Sequence, residues 1–249
     1  MSRIAVIAGE GQLAPAVVAA LDAPLVYALD GLKPEVAAQP FRLERLVPFL
    51  DQLADEGVEQ VVFAGAIRRP RLEPELFDPR TMQLVPRIVA AMQTGDDAPL
   101  REVLAVFEES GLRVMSVDQV LPELVAAEGV LAGEPTAQDQ ADADEAARLM
   151  TELGRLDIGQ GLVVAQGLCM AVESLPGTEA MLAFVGQHRE LRPNPKGAKG
   201  VLYKAPKPGQ DRRIDLPTVG PDTVRQAAAA DLAFAPPKVA ICTIRPSTA

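Results

Sequence analysis

The residues best suited to chemistry crowd between Lys204 and Gly220, KAPKPGQDRRIDLPTVG. The cations Lys204, Lys207, Arg212 and Arg213 stand there with the acids Asp211 and Asp215. Prolines and glycines exclude a regular helix, and the stretch has little apolar surface to order it by burial. A stiff, charged loop in an acidic chain points to an anionic ligand, phosphate above all, with a carboxylate beside it. If Ile214 and Leu216 turn inward, Asp215 between them faces the ligand side. A carboxylate among cations stays ionised at neutral pH. It can hold Mg²⁺ against a phosphate or orient an attacking water. A salt-bridged loop aspartate is the plainer alternative.

Other constellations are weaker. Gly9-Glu10-Gly11-Gln12-Leu13 lies between the apolar run 4–8 and a predicted helix over 14–21, the layout of a phosphate-binding first turn. Ala14 stands where the third glycine of GxGxxG belongs, so a tight strand–helix turn fits equally well. Asp30, ending the second predicted strand, is the one acid there for a dinucleotide ribose, which leaves an oxidoreductase a distant reading. Gly65, Arg68 and Arg69 follow a predicted strand, where open α/β sheets bind ligands. Asp96 and Asp97 fit either Mg²⁺ or the cap of the next helix. Gln160 either contacts a ligand or pins a turn. Glu173 ends an apolar strand, and Thr178, in the turn Pro176-Gly177-Thr178-Glu179 that caps a helix over 179–187, begins a helix whose N-terminus suits an anion. The single histidine, His188, gives a Ser-His-Asp or His-rich metal mechanism almost nothing to work with. Cys169 and Cys242 lack zinc spacing and are expected as buried thiols in a reducing compartment.

Composition bounds the rest. A chain of 249 residues suits two domains, and 48% hydrophobic residues suffice for a core. With no Trp and only 4% aromatics, the core is expected to be aliphatic. A formal charge of −10 without a broad basic face argues against nucleic acid as a partner. Charge is uneven: residues 186–213 are basic and 134–145 acidic. The basic stretch fits a small anionic substrate or an anionic membrane surface, or is simply a solvated loop. No run of about 18 apolar residues spans a bilayer, and the first residues are too short for a signal peptide. The expectation is a soluble, cytoplasmic protein.

These residues need elements to hold them. Strands are predicted over 4–8, 25–29, 61–64 and 113–117. Helices are predicted over 14–21, 43–56 (with Pro48 an anomaly), 84–93, 100–110 and 120–127. The alternation predicts an N-terminal Rossmann-like, doubly wound α/β domain over 1–128. Residues 129–136 read as a linker. A second, smaller α/β domain with a mixed sheet is expected over 137–249. It comprises helix 138–153, a hairpin of strands 162–165 and 168–172 about Gln166-Gly167, helix 179–187, strand 201–204, helix 223–230 and a strand within 238–244.

The ordered set IAGEGQL, FAGAIRRP, GDDAPLREV, RLDIGQGLVV, VESLPGTEAML and KAPKPGQDRRIDLPTVG resembles the LpxI family of UDP-2,3-diacylglucosamine pyrophosphatases. The likeness runs from about residue 3 to residue 232. It implies a Mg²⁺-dependent hydrolase of lipid A biosynthesis that cleaves UDP-2,3-diacylglucosamine to UMP and 2,3-diacylglucosamine 1-phosphate (lipid X). It implies a Rossmann-like domain linked to a second α/β domain, with the lipid held between them, at the inner-membrane surface. Asp215, in the DLP motif, matches the family's catalytic aspartate. Gly9, Gly11 and Leu13 match its glycine loop. Gly65, Asp96, Asp97, Gln160, Thr178, Lys204 and Lys207 match other ligand-facing motifs, with Asp96 and Asp97 joining Asp215 as metal ligands. Gln12 and Arg69, from the same loops, complete the substrate-binding set, and a homodimer is left open.

Two departures stand out. Glu10 replaces a usual glycine, and Phe234–Ala249 differs from the family's glycine-containing strand and further helix. A frameshift or truncation would explain the second. A protein that keeps the fold and binds nucleotide or lipid phosphate without turnover is therefore the alternative function.

Overall fold

The computed structural model describes residues 3–67, 71–92, 98–125, 134–207, 210–211, 213, 216–235 and 241–242. Contacts divide the chain into one unit of Met1–Pro122 with Asp211–Ile214, and a second of Glu123–Gln210 with Asp215–Ala249.

The first unit contains β1 (Arg3–Ala8), α1 (Leu13–Ala20), β2 (Leu25–Leu29), β3 (Gln39–Phe41), α2 (Leu46–Asp55) and β4 (Val58–Ala64). Then follow α3 (Pro79–Met82), α4 (Val85–Met92), α5 (Ala98–Glu109), β5 (Arg113–Met115) and α6 (Val117–Val120). Its strands pair in parallel in the order β3-β2-β1-β4-β5. The chain therefore builds outward from β1 in one direction and then in the other. Ala5, Val6, Ile7 and Ala8 are all buried, which is why β1 is apolar from Ile4 onward rather than alternating.

The core of this unit is more aromatic than composition suggested. Phe49 stacks on Phe41 at 4.1 Å and meets Tyr27 edge-on at 5.0 Å, while Phe107 meets Phe63 edge-on at 5.2 Å. A scarce residue type has been concentrated in one place. The Tyr27 hydroxyl donates to Glu56 at 2.5 Å, so the one polar group in the cluster is satisfied.

The second unit contains α7 (Ala137–Arg155), β6 (Gly161–Ala165), β7 (Leu168–Val172), α8 (Gly177–His188), β8 (Val201–Lys204), β9 (Thr218–Val219), α9 (Pro221–Ala229), β10 (Ala233–Ala235) and β11 (Ile241–Cys242). Its main sheet has the order β10-β8-β6-β7 and is mixed: β6 is antiparallel to β7 and β8, and β10 is parallel to β8. A separate pair, β9 and β11, is parallel.

Leu162 and Val164 of β6 face Ala146 and Met150 of α7. Val163 faces Met181, Leu182 and Val185 of α8 and Ala227 of α9. Both faces are covered, so the strand is apolar at every position. The β6–β7 turn is built on Gln166 and Gly167, both with positive φ (54° and 82°). Asp142, fully buried on α7, accepts from the Gln166 amide at 2.9 Å and the Gly167 amide at 2.8 Å. These bonds hold Gln166 in a conformation that costs any non-glycine residue.

Several expectations change. Pro48 is no anomaly: a 3-10 turn over Leu43–Arg45 precedes α2, so Pro48 falls in the helix's first turn, where an amide has no intrahelical partner anyway. Of the helix expected over 120–127, the described residues show α6, capped by Ser116 with Gln119, then a 3-10 turn over Pro122–Leu124, and Pro122 prevents continuation of α6; residues 126 and 127 lie outside the described residues. The short strands β3, β9 and β10 were not foreseen. Cys169 is exposed, because β7 is the edge of its sheet. The expectation for Cys242 falls on a side chain outside the described set, and residues 129–133 of the expected linker lie outside the described residues.

Candidate functional site

In the first unit the carboxyl ends of β1 and β4 are joined back to back. The Gly9 amide donates to the Ala64 carbonyl at 2.7 Å, and Glu10 and Ala66 exchange backbone hydrogen bonds at 2.8 and 2.9 Å. A Cβ on Gly9 would lie 2.5 Å from the Ala66 carbonyl oxygen, so glycine there serves the close approach of two loops. Gly11, at φ +89°, faces open space. Gln12 and Leu13 open α1, and the Gln12 amide donates to Glu35. Gly11, Gln12, Leu13 and Gly65 therefore sit around one corner at the strand ends. Arg69, Asp96 and Asp97 lie outside the described residues. Asp30 is occupied by Arg42 at 2.6 Å, which leaves it poorly placed to bind a ribose.

The second unit gathers a denser cluster. Lys204 ends β8, Glu173 follows β7, and Thr178 lies in the first turn of α8. Lys204 Nζ donates to Thr178 Oγ1 at 2.7 Å, and that hydroxyl donates to Glu173 Oε1 at 2.6 Å. Glu173 Oε2 lies 3.7 Å from Lys204 Nζ, and it is buried without a hydrogen-bond partner. Lys207, three residues on, pairs with Asp157. Gln160, between Asp157 and β6, accepts the Ala205 amide at 3.0 Å through its backbone carbonyl. Gln160, Thr178, Lys204 and Lys207 are thus carried by a few neighbouring segments.

Both lysines are more than nine-tenths buried, at 7% and 6% exposure. Buried ammonium groups require counter-charge, which Glu173 and Asp157 supply. Room for Glu173 comes from two glycines. A Cβ on Gly161 would stand 2.5 Å from Oε2, and one on Gly159 would collide with the Glu173 carbonyl. Glu173 and Asp157 were not foreseen as the lysines' partners. The signals were Glu173 at the end of an apolar strand and the Gly-Gln-Gly spacing before β6. Within the expected capping turn Pro176 is the cap residue of α8, and the Thr178 hydroxyl is committed to Lys204 and Glu173.

In the stretch around Asp211, Arg213 pairs with Asp211 at 2.6 Å and with Glu108. Its hydrogen bond holds the Asp211 carboxyl below the usual range. Leu216 is buried, as expected, while Arg212, Ile214 and Asp215 lie outside the described residues. The basic stretch before β8 is not simply solvated. Arg192 is buried, donating to the Arg189 and Lys199 carbonyls at 2.9 Å and to Asp231 at 3.1 Å.

Among the described residues no group of three His, Cys, Asp or Glu side chains is placed to hold a metal ion. Asp157 and Glu173 each face an ammonium group, so a cation seated there would meet like charge. The described carboxylates therefore do not fit a Mg²⁺ site by themselves.

The parallel-sheet unit and the smaller mixed-sheet unit make this a two-unit α/β protein. The chain belongs to the LpxI family: residues 3–124 match the LpxI N-terminal domain and residues 127–236 the LpxI C-terminal domain. It is 43% identical over 183 residues to the UDP-2,3-diacylglucosamine pyrophosphatase LpxI of Caulobacter vibrioides. That match covers 73% of this chain and 65% of the relative.

Proposed function

We propose that this protein hydrolyses the pyrophosphate bond of UDP-2,3-diacylglucosamine, giving UMP and 2,3-diacylglucosamine 1-phosphate (lipid X), in lipid A biosynthesis. The observation that carries the reading is the pair of buried lysines, Lys204 and Lys207, in a chain so similar to a pyrophosphatase of that substrate. No apolar core requires them there. Lys204 and Lys207 take up the charge of the pyrophosphate and of the leaving phosphate, with Thr178 fixing the Lys204 ammonium. Asp215 orients the attacking water, whose oxygen bonds to one phosphorus as that phosphorus loses its bond to the bridging oxygen; the bridging oxygen leaves on the other phosphorus, and the water's proton passes to solvent.

Mg²⁺ belongs to the proposal: the hard carboxylate oxygens of Asp215, Asp96 and Asp97 would hold it, and it would neutralise phosphate charge. Gly11, Gln12, Leu13, Gly65 and Arg69 at the strand ends of the first unit, with Gln160 in the second, complete the substrate contacts. The strand order β3-β2-β1-β4-β5 supports a Rossmann-like reading of the first unit. A diacylated substrate is met at a membrane surface, so peripheral association with the cytoplasmic face of the inner membrane is also proposed. No helix among the described residues is long and apolar enough to cross a membrane.

The test is UMP release from UDP-2,3-diacylglucosamine by the wild type, by Asp215→Ala, and by the wild type in EDTA. Wild-type turnover with Mg²⁺ is expected, with a loss of at least about 10³-fold in the variant and in EDTA. Full turnover by Asp215→Ala rejects the mechanism. Substrate binding without any turnover leaves the non-catalytic reading.

A further inference from the structure

The cluster around Lys204 is matched in charge but not in hydrogen bonds. An ammonium group has three N–H donors. Among the described residues Lys204 donates one, to Thr178 at 2.7 Å. Glu173 Oε2, buried and 3.7 Å away, accepts no hydrogen bond among the described residues. Native proteins rarely leave a buried carboxylate oxygen unpaired, and each instance calls for an explanation. The direction of the chain is fixed by its chemistry. Lysine can only donate to the threonine oxygen, so the threonine's single proton goes to Glu173 Oε1 at 2.6 Å. Thr178 therefore stands between the two charges and turns the Lys204 ammonium away from a direct bond to the carboxylate. The two remaining N–H bonds of Lys204 are left for another acceptor.

We propose that Glu173 is the resident counter-anion of Lys204: it keeps the buried ammonium neutralised while the site is empty and thereby sets how tightly the site holds a phosphate. This rests on the reading of Lys204 as a ligand of the substrate's pyrophosphate. A bound phosphate accepts the two spare N–H bonds directly, but it does so beside a fixed carboxylate of like charge. Like charges a few ångströms apart in a poorly solvated site repel strongly. Glu173 therefore weakens phosphate binding, which favours release of an anionic product. Gly161 belongs to the device, since a Cβ there would stand 2.5 Å from Glu173 Oε2.

The consequence runs against the usual effect of deleting a site residue. Glu173→Gln keeps an oxygen to accept from Thr178 and removes the charge, with an NH2 group in place of the second oxygen. Titration calorimetry with inorganic pyrophosphate, on the full-length protein, reads the result. Glu173→Gln is expected to bind pyrophosphate about tenfold or more tightly than the wild type, and Lys204→Met to lose binding. In turnover the same variant is expected to lower KM. Unchanged or weaker pyrophosphate binding by a Glu173→Gln protein with the wild-type circular dichroism spectrum overturns the proposal. So does a wild type that binds no pyrophosphate at millimolar concentration. If Glu173→Gln does not fold, the double variant Glu173→Gln/Lys204→Met is compared with Lys204→Met by melting temperature. A double variant that melts higher supports the charge pairing, and one that melts no higher refutes it. Pyrophosphate binding in the expected order, without hydrolysis of UDP-2,3-diacylglucosamine, leaves this inference standing and removes the activity.

Discussion

Both units contain buried polar staples, such as Glu44 accepting the Glu73 amide and Thr81 accepting the Val47 amide in the first, but their apolar cores differ. In the first, the parallel sheet, α2 and α5 close on a ring cluster and buried aliphatic side chains, among them Leu46, Leu53 and Leu104. In the second, Val, Leu, Met and Ala make the sheet's cover, and buried or half-buried polar groups fix what the cover does not reach. Asp142 holds a hairpin turn, Arg192 and Asp231 hold the basic stretch, and Thr178 holds a lysine between charges. Burial is non-directional and tolerates a change of shape. A buried polar staple is directional, and removing one partner leaves the other unsatisfied. A site that must place charges within ångströms is better served by the second kind of construction.

The comparison breaks most sharply at Phe107. Phe107→Ala should cost about 4 kcal/mol by emptying the centre of the first unit's core. Phe107→Leu, nearer in volume and still apolar, should cost well under half of that, to roughly 1.5 kcal/mol. Urea titration followed by near-ultraviolet circular dichroism measures both. Equal costs would mean that the ring's geometry, not its burial, holds the unit.

Asp142 tests the opposite construction. Asp142→Ala strands the amides of Gln166 and Gly167 and should cost about 3 kcal/mol. Hydrogen exchange should show those two amides losing protection while the first unit's amides keep theirs. Loss confined to neither amide would show that the turn is held by other means.

The smallest effect is that of pH on Asp231. Hydrogen bonding to Lys199, and then to Arg192, depresses its pKa. The unfolded carboxyl titrates near 3.9, so the pair's contribution is complete above that pH and is lost as pH falls through the lower folded value. The stability difference between wild type and Asp231→Asn should therefore be constant around neutrality and shrink below about pH 4. A difference that persists undiminished at lower pH would mean that packing, not charge, is what Asp231 supplies.

Much of the first unit could be read from the residues, because a fully buried parallel strand declares itself as an unbroken apolar run: 4–8 and 25–29 stand almost as β1 and β2. The β6–β7 hairpin was equally plain from Gln166-Gly167 between two apolar runs. What escaped were β3, β9 and β10, three of the strands of two or three residues, too short to carry a period. Of the site, Lys204, Lys207, Thr178 and Glu173 each stand out in the sequence, yet their pairing does not. Lys204 and Glu173 are separated by a helix and a long loop, and no local pattern records that pairing. Arg192 was grouped with solvated cations because its counter-charge, Asp231, lies far along the chain. Gly9 looked like a phosphate-loop residue, and its need for glycine instead reflects the approach of Gly65 and Ala66.

Phosphorus NMR on the purified protein with UDP-2,3-diacylglucosamine and Mg²⁺ tests the central claim most directly. The pyrophosphate resonances should disappear in the wild type, replaced by the monoester signals of UMP and a sugar 1-phosphate, and should persist with Asp215→Ala. Intact pyrophosphate signals in the wild-type sample, or equal loss in both, would contradict the account.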